Sequence, residues 1–398
     1  MKWFIPALLL CVCGTGAFAR DVDLDAIYIK KTSPYLPKLT GAKLDLYAAS
    51  GAVLVADGVS FAGWSSGARL VYTKESAERI TLCDYYTSSR RSGVIASIPG
   101  GIVYAKMPTG SRYAYLSVLA QGKSAVPESF FVTVDLRTGD VGKYPSRSMF
   151  VDYGLTRYGA SFIREEGGSL VETFPDTMRK NALLSRSRYG SVVRKNAAVL
   201  CYPSPDVGRL LVLAGEGGQY DAAVFEGGVL VRRISGVSSS VDITWIDNSR
   251  IAFREGAPGH YAVKLFSCAD GSLSQIGART MNTNLSYCEY NGILSYLTDG
   301  AISFCRVESG EAEIWPIEGE DLSFAPGGNL FCALYGGRLF LVQRETMKSR
   351  AVELRRGAAK VLEIYRELLN APGEWENSFS REYIARKTSL YEMLAVMK

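Results

Sequence analysis

Short apolar runs, each bounded by turn-forming residues, recur along most of this 398-residue chain. The clearest pair of segments is 64–72 (WSSGARLVY) and 245–253 (WIDNSRIAF). In both, an aromatic residue is followed by turn-prone residues, an arginine and a short apolar run. Such runs, rich in aliphatic and aromatic residues, predict buried β-strands. Their recurrence at a spacing of tens of residues indicates a repeat architecture.

Seven copies of this pattern can be located by the residue that begins each apolar run. The anchor residues are Arg69, Arg112, Tyr158, Arg209, Arg250, Gly292 and Asn329. Consecutive anchors lie 37 to 51 residues apart, and their mean spacing of about 43 residues is typical of four-stranded propeller blades. Pro, Gly, Asn, Asp or Ser precedes the apolar run in the copies, as a tight turn requires.

A second pattern is out of phase with the first. Thr, Asp or Ser precedes Gly139, Gly271 and Gly310 between two alternating runs, which predicts a β-hairpin. Two hairpins per repeat make four strands. We therefore predict an all-β fold, a β-propeller of seven four-stranded blades with a short C-terminal helical extension. A β-sandwich also has short strands, but it would not keep two turn types alternating seven times.

An early copy of the second pattern occupies residues 44–55 (LDLYAASGAVLV) and has no clear partner before it. Two interpretations follow. This N-terminal pair of strands completes the ring by pairing with the last blade, which would remove the open sheet edges. Alternatively, residues 24–40 form an eighth, irregular blade. We predict the seven-blade arrangement.

One copy of the repeat resembles a known family. Residues 204–212 (SPDVGRLLV) are similar to the Ser-Pro-Asp-Gly repeat of TolB-like and WD-repeat-like bacterial propellers, and residues 325–331 (APGGNLF) are a looser match. The resemblance spans about residues 42–355. No copy keeps the full phrase, the Gly-His…Trp-Asp signature is absent, and no α/β domain of the TolB type precedes the repeats. The resemblance implies the architecture and leaves the partner open.

The N-terminal residues 1–19 have the features of a secretory signal peptide. Lys2 precedes a short apolar stretch, and Ala17 and Ala19 supply the small residues that a signal peptidase needs. A lipoprotein signal would use Cys11 or Cys13, but Leu10 and Val12 before them are not small. We expect cleavage near Ala19 and a periplasmic or secreted protein. The predicted segments are a signal peptide at 1–19, the propeller at 20–355 and the helical extension at 356–398.

The C-terminal extension shows helical rather than strand periodicity. Residues 358–370 carry an apolar stripe that ends at Ala371-Pro-Gly, and a second such pattern begins near Ser380. These two amphipathic helices either pack on the rim of the propeller or dock a partner helix in a groove.

The formal net charge is +5, and the basic residues are scattered rather than arranged in a stripe. The sequence therefore gives no indication of nucleic-acid binding. The densest basic stretch, residues 179–195, falls in the longest gap between repeats. We interpret it as a solvated insertion loop, with a patch for an anionic ligand as the alternative.

Six cysteines remain after residue 19, each within a predicted strand: Cys83, Cys201, Cys268, Cys288, Cys305 and Cys332. An even count in an oxidising compartment permits disulfides. Cysteines in the middle of strands behave as small buried hydrophobic residues. Cys288 and Cys305 should also lie on non-neighbouring strands, too far apart to bridge. We predict mostly reduced core thiols.

The chain offers few residues for catalysis. Its single histidine, His260, lies in a turn-like Gly-Pro segment, so neither a site with two histidine ligands nor an ordinary triad fits. No phosphate-binding glycine loop, dinucleotide fingerprint or nucleophile elbow stands in a fitting context. We predict no catalytic residue, no metal and no cofactor.

Charged residues recur after the second strand of several predicted blades. Lys74 and Glu75 occupy one such position, Arg164 and Glu165 another, and Arg254 a third together with Glu255; Glu166, Glu216 and Asp299 fall in the same loops. A propeller would gather these loops at one channel mouth. Exposed hairpin loops are commonly charged, and that is the simplest explanation. The alternative is a recognition face for a protein or peptide.

The sequence thus favours an extracytoplasmic β-propeller that acts as a non-catalytic binding or scaffold module in a cell-envelope assembly. The predicted partner is another envelope protein or a peptide, with no nucleic acid and no transmembrane segment in the mature chain. The alternative is a propeller enzyme that acts on glycans through carboxylates at the channel mouth.

Overall fold

A computed structural model describes this protein from residue 35 to residue 396 with internal gaps. The gaps are 77, 108–110, 121–127, 146–151, 157–158, 175–176, 191–197, 217–218, 238–242, 257–260, 281–284, 299–300, 320 and 372–380. The predicted signal peptide and His260 lie outside the described residues. The chain forms two compact units: the described residues of the first fall within 58–257 and 262–275, and those of the second within 35–57, 261 and 276–396.

The described strands form runs of four antiparallel neighbours, which we call blades and number in chain order. The first is β2 (Val59–Ser66), β3 (Arg69–Glu75), β4 (Arg79–Tyr86) and β5 (Arg91–Pro99); the second is β6 (Gly101–Lys106), β7 (Tyr113–Ala120), β8 (Glu128–Asp135) and β9 (Val141–Pro145). The third is β10 (Asp152–Thr156), β11 (Gly159–Glu166), β12 (Ser169–Thr173) and β13 (Lys180–Ser185); the fourth is β14 (Ala198–Pro203), β15 (Arg209–Glu216), β16 (Gln219–Glu226) and β17 (Val229–Val237).

Three further runs complete the set. The fifth blade is β18 (Ile243–Trp245), β19 (Arg250–Glu255), β20 (Tyr261–Ser267) and β21 (Leu273–Thr280), and the sixth is β22 (Ser286–Cys288), β23 (Ile293–Thr298), β24 (Ala301–Arg306) and β25 (Ala312–Trp315). The seventh is β26 (Asp321–Phe324), β27 (Leu330–Tyr335), β28 (Arg338–Gln343) and the N-terminal β1 (Val53–Asp57). This topology is that of an all-β propeller, as predicted, while the blade number of the whole protein stays a prediction.

The two turn patterns fall where the sequence placed them. The anchors Arg69, Arg209 and Arg250 are the first residues of β3, β15 and β19. The glycines of the second pattern, Gly139 and Gly271 among them, lie between the third and fourth strands with φ of 80° and 78°, a conformation that other residues rarely adopt. The second strands are the most buried, and every residue of β23 is buried. Burial on both sides explains why these strands read as continuous apolar runs.

The anchor arginines hold the blades together. Arg69 donates from Nε and Nη2 to Oδ2 of Asp84 at 2.9 and 2.7 Å and from Nη2 to the Leu136 carbonyl in the second blade at 2.7 Å. Arg209 repeats the arrangement, with Glu226 at 3.2 Å and the Asn248 carbonyl of the fifth blade at 2.7 Å. Arg69 and Arg209 therefore link the second strand to the third and to the next blade.

The N-terminal segment differs from the prediction in one respect. β1 pairs antiparallel with β28, which confirms that this segment completes the last blade. However, residues 44–49 end the helix α1 (Tyr35–Ala49) rather than forming a strand. Leu39, Leu46 and Tyr47 are all buried at helical spacing, and this tertiary burial overrides the apparent alternation.

The basic stretch that we interpreted as an insertion loop is partly regular structure, so that interpretation is wrong for its first half. Residues 180–185 form β13, and a short helix α2 (Arg186–Tyr189) follows with Tyr189 buried. Strand pairing with β12 explains the difference: Lys180 and Asn181 lie opposite Thr173 and Glu172. Residues 191–195 lie outside the described part of the chain.

All six cysteines of the predicted strands are buried, and no disulfide joins them. Cys288 on β22 and Cys305 on β24 are separated by β23, as expected. Burial raises the pKa of the Cys268 thiol to about 11, and it also raises the pKa of Cys305. Buried thiols of high pKa are poor nucleophiles, in agreement with their assignment to the core.

Helices follow the last blade: α3 (Arg344–Ser349), α4 (Ala351–Asn370) and α5 (Arg381–Val396). The apolar face of α4, which includes Val361 and Tyr365, packs with Leu46 of α1 and Leu394 of α5 in one cluster that also reaches Ala301 in the sixth blade. The predicted helical stripes are thus buried against this protein's own second unit. No helix in the described part of the chain combines the length and apolar character needed to cross a bilayer.

Candidate binding face at the strand ends

The predicted charged residues lie at the ends of second strands in three blades of the first unit. Lys74 and Glu75 are the last two residues of β3, and Arg254 and Glu255 are the last two of β19. Arg164 and Glu165 directly precede Glu166, the last residue of β11. The structure therefore places them within the last three residues of these strands rather than in the loops that follow. Glu216 similarly ends β15, and Asp299 lies outside the described residues.

The first-blade pair is open to solvent. Glu75 is exposed, and Lys74 is half-buried. An oxygen of the Glu75 carboxylate lies 3.4 Å from the backbone nitrogen of Ile102, the second residue of β6 in the second blade. A carboxylate at an exposed strand end with one weak backbone contact keeps most of its hydrogen-bonding capacity for a partner.

In the third blade, the strand end is defined by its pairing. Arg164, Glu165 and Glu166 lie opposite Val171, Leu170 and Ser169 in the β11–β12 hairpin. The Glu166 carboxylate accepts from Lys180 Nζ at 2.7 Å, and both side chains are substantially exposed. This end therefore also presents charges of both signs.

The fifth-blade position corrects the prediction for one residue. Arg254 is not on an exposed loop, because its side chain is only 1% exposed and it lies within β19 opposite Val263. Burial on both faces of the strand gives the reason: Ile251, Ala252, Phe253 and Arg254 are all buried in succession, so the position after Phe253 is covered as well. Glu255 is half-buried and pairs with Lys264 at 3.3 Å. Whether Arg254 takes part in binding stays a prediction.

The sequence missed a cluster of buried charges in the second unit. Glu318 lies between β25 and β26. Its carboxylate pairs with Lys43 Nζ of α1 at 2.5 Å and with Lys387 Nζ of α5 at 2.7 Å, and all three side chains are less than 10% exposed. The Tyr47 hydroxyl donates to the Glu318 carbonyl. One signal existed: Lys43 stands four residues after Leu39 and three before Leu46, on the apolar side of its helix.

The opposite charges of this cluster stabilise the folded structure. Burial by itself would raise the pKa of Glu318, but the ammonium groups of Lys387 and Lys43 outweigh burial and lower that pKa to about 2. The ring of Tyr383 lies 5.3 Å from Lys387 Nζ, and that of Tyr365 lies 5.9 Å from Lys43 Nζ. The aromatic rings offset part of the second positive charge. The cluster ties α1 and α5 to the loop after the sixth blade.

Comparisons with known proteins gave identities of 13% or less and TM-scores below 0.5 for three solved structures. No protein-family model matches this chain, and no curated protein is significantly similar to it. TolB from Acinetobacter baumannii matches 55% of this chain and 53% of its own at 13% identity and a TM-score of 0.39. The Cps50 (Swd1) β-propeller domain from Myceliophteria thermophila matches 72% of this chain and 96% of its own at 12% identity and a TM-score of 0.48.

A puromycin-hydrolyzing peptidase from Mycobacterium tuberculosis matches 75% of this chain and 54% of its own at 13% identity and a TM-score of 0.48. The chain thus spans about half the length of TolB and of the peptidase. The repeat-level resemblance to TolB-like and WD-repeat-like propellers is confirmed. The conclusion that the chain is a β-propeller rests on its own blade topology.

Proposed function

We propose that this protein is an extracytoplasmic β-propeller that binds another protein or a peptide of the cell envelope without catalysing a reaction. The observation that carries the proposal is the repetition of mixed charge near the end of the second strand in three blades, at Glu75, Glu165 and Glu255 with their neighbouring cations. The blades carry different charged residues near the same end of their second strands. A partner can recognise this surface through those differences. The periplasmic or secreted location rests on the signal-peptide features of residues 1–19.

The charge arrangement fits recognition better than glycan hydrolysis. Acid/base hydrolysis uses two carboxyl groups about 5 to 9.5 Å apart across the bound sugar. At two of the described strand ends, a carboxylate instead pairs with a lysine, Glu166 with Lys180 and Glu255 with Lys264. Exposed charges of both signs mainly guide association and select the partner. The enzyme therefore stays the weaker hypothesis.

The test is the double charge reversal Glu165→Lys/Glu255→Lys in the full protein. The wild-type protein is used to capture partners from its own envelope extract, and the captured protein is then purified and titrated directly. We expect the double variant to bind that partner at least about tenfold more weakly, since reversing a charge adds repulsion as well as removing attraction. Asp270→Lys is the matched control, because Asp270 is exposed in the β20–β21 turn, at the opposite end of the strands.

Unchanged affinity of the double variant, with a thermal melt like that of the wild type, would refute the proposed face. Equal weakening by Asp270→Lys would show that net charge rather than this strand end determines binding.

A further inference from the structure

At the junction between the first and second blades, the residues opposite the anchor arginine differ from those in the fourth blade. In the fourth blade, Arg209 lies opposite Glu226, and Glu226 lies opposite Val229 on the outer strand. In the first blade, the same register places Arg69 opposite Tyr86, and Tyr86 opposite Arg91. An aromatic ring and an additional cation thus replace an acid and an aliphatic residue.

The aromatic ring at this junction is available to a ligand. Tyr86 is 42% exposed although it belongs to a central strand. The guanidinium of Arg69 lies 5.5 Å from the centroid of its ring, so the ring is held in place on one side. Two positions from Arg91, Gly93 bears no side chain, and a Cβ there would lie 2.9 Å from Oδ1 of Asp84. No side chain from position 93 therefore covers the surface beside Tyr86.

The second blade contributes the other side of the junction. The bond from Arg69 Nη2 to the Leu136 carbonyl, at 2.7 Å, fixes the β8–β9 turn beside the first blade. The same turn approaches the outer strand at Gly139, where a Cβ would lie only 2.5 Å from the Ile95 carbonyl oxygen. Arg137 stands between these two contact points and is exposed.

The charge at this junction is unbalanced. Arg90, Arg91 and Arg137 are exposed, and none of them takes part in an ion pair within the described part of the chain. The nearest acid in the sheet, Asp84, is buried and already paired with Arg69 at 2.7 Å. Asp140 is exposed in the same turn and accepts a hydrogen bond from the Thr138 hydroxyl at 2.7 Å, and its negative charge offsets only one of these three arginines. The surface therefore complements a negatively charged ligand.

We propose that this junction binds an acidic peptide segment, whose carboxylates pair with Arg91 and Arg137 and whose apolar side chain packs on Tyr86. Guanidinium groups suit carboxylates because they bind them in a bidentate manner. The exposed ring favours a peptide over a uniformly charged polyanion, which has no apolar group to place there. The junction lies at the start of β3, whereas Glu75 of the candidate binding face ends that strand, so the two proposals are independent.

The experiment titrates the full protein against a labelled, capped peptide of alternating glutamate and leucine, followed by fluorescence anisotropy. We expect Arg91→Glu/Arg137→Glu to weaken binding by more than about tenfold, and Tyr86→Ala to weaken it several-fold while Tyr86→Phe retains it. Arg233→Glu is the matched control, because Arg233 is an exposed arginine on the outer strand of the fourth blade. Thermal melts establish that each variant is folded.

Three results would overturn the proposal. The first is no saturable binding of the peptide by the wild-type protein. The second is equal weakening by Arg233→Glu, which would indicate attraction to overall charge. The third is unchanged binding by Tyr86→Ala together with equal affinity for a sulfated polysaccharide, which would indicate a general polyanion surface.

Discussion

The blade junctions of the first unit and the helical cluster of the second unit use charge in opposite ways. At the junctions, arginines such as Arg69 and Arg209 remain partly exposed and donate to carboxylates and to carbonyls of the next blade. In the helical cluster, Lys43, Glu318 and Lys387 are almost fully withdrawn from water. Exposed pairs contribute little individually, whereas a buried charge that loses its partner is very costly. The junctions can therefore vary between blades, while the cluster tolerates no single change.

The largest expected effect comes from removing one side of the helical cluster. Deletion of residues 378–398 removes α5 and uncovers Tyr365, Leu368 and Lys43, each at most 1% exposed in the intact protein. Burial of side chains such as those of Ile384 and Leu394 contributes about 1.5–3 kcal/mol each, against a typical total stability of about 5–15 kcal/mol. We expect loss of soluble, folded protein, measured by yield and circular dichroism.

A stable, cooperatively melting deletion variant would contradict this view. It would favour the alternative in which α5 serves to dock a partner.

The next effect is a single isosteric change inside the cluster. Glu318→Gln leaves two ammonium groups buried without a carboxylate, and we expect it to destabilise the protein by about 3–5 kcal/mol in urea unfolding. The control replaces Lys43, Glu318 and Lys387 together by Met, which removes all three charges and should recover much of the loss. A Glu318→Gln variant as stable as the wild type would show that the cluster does not stabilise the folded structure.

The pH dependence of the same cluster has a defined sign. The folded-state pKa of Glu318 is lowered to about 2, below the value of about 4.3 for an unperturbed glutamate. Its contribution is therefore fully present above the unfolded-state pKa and is lost as the pH falls through the folded-state value. We expect the stability gap between the wild type and the triple Met variant to be constant from pH 7 to about 5 and to shrink below about 4.3. A gap that widens on acidification would contradict the assignment.

A smaller effect is expected at the most buried of the repeated junction arginines. Arg69 is 19% exposed and joins Asp84 to the Leu136 carbonyl. Removing it leaves Asp84, only 9% exposed at its side chain, without its cation. We expect Arg69→Ala to cost about 1–3 kcal/mol, measured by chemical unfolding. Arg69→Lys should recover only part of this, because an ammonium cannot reproduce the forked bonds.

The residues show why the sequence predicted the turns that carry the junction arginines and not the cluster. The anchors such as Arg209 and Gly292 follow from local turn chemistry, which a short window of sequence contains. The cluster joins residues 43, 318 and 387, which only tertiary packing brings together. The burial of Arg254 was missed for a related reason: a charged residue at a strand end is normally solvated, and the sequence does not record how deep that end lies. Residues 44–49 alternate like a strand until the packing of Leu39 and Leu46 imposes a helix.

The smallest expected loss of stability comes from removing Arg112, a junction arginine whose side chain is exposed. Arg112 pairs with Asp135 as Arg69 pairs with Asp84, but its side chain is 44% exposed. Backbone donors from Arg137 and Thr138 also support the Asp135 carboxylate, so that group keeps partners after the arginine is removed. We expect Arg112→Ala to cost less than about 1 kcal/mol and the cost to fall further at high salt, where exposed pairs are screened. A loss as large as that of Arg69→Ala, unaffected by salt, would show that solvent exposure does not determine what each repeated arginine contributes.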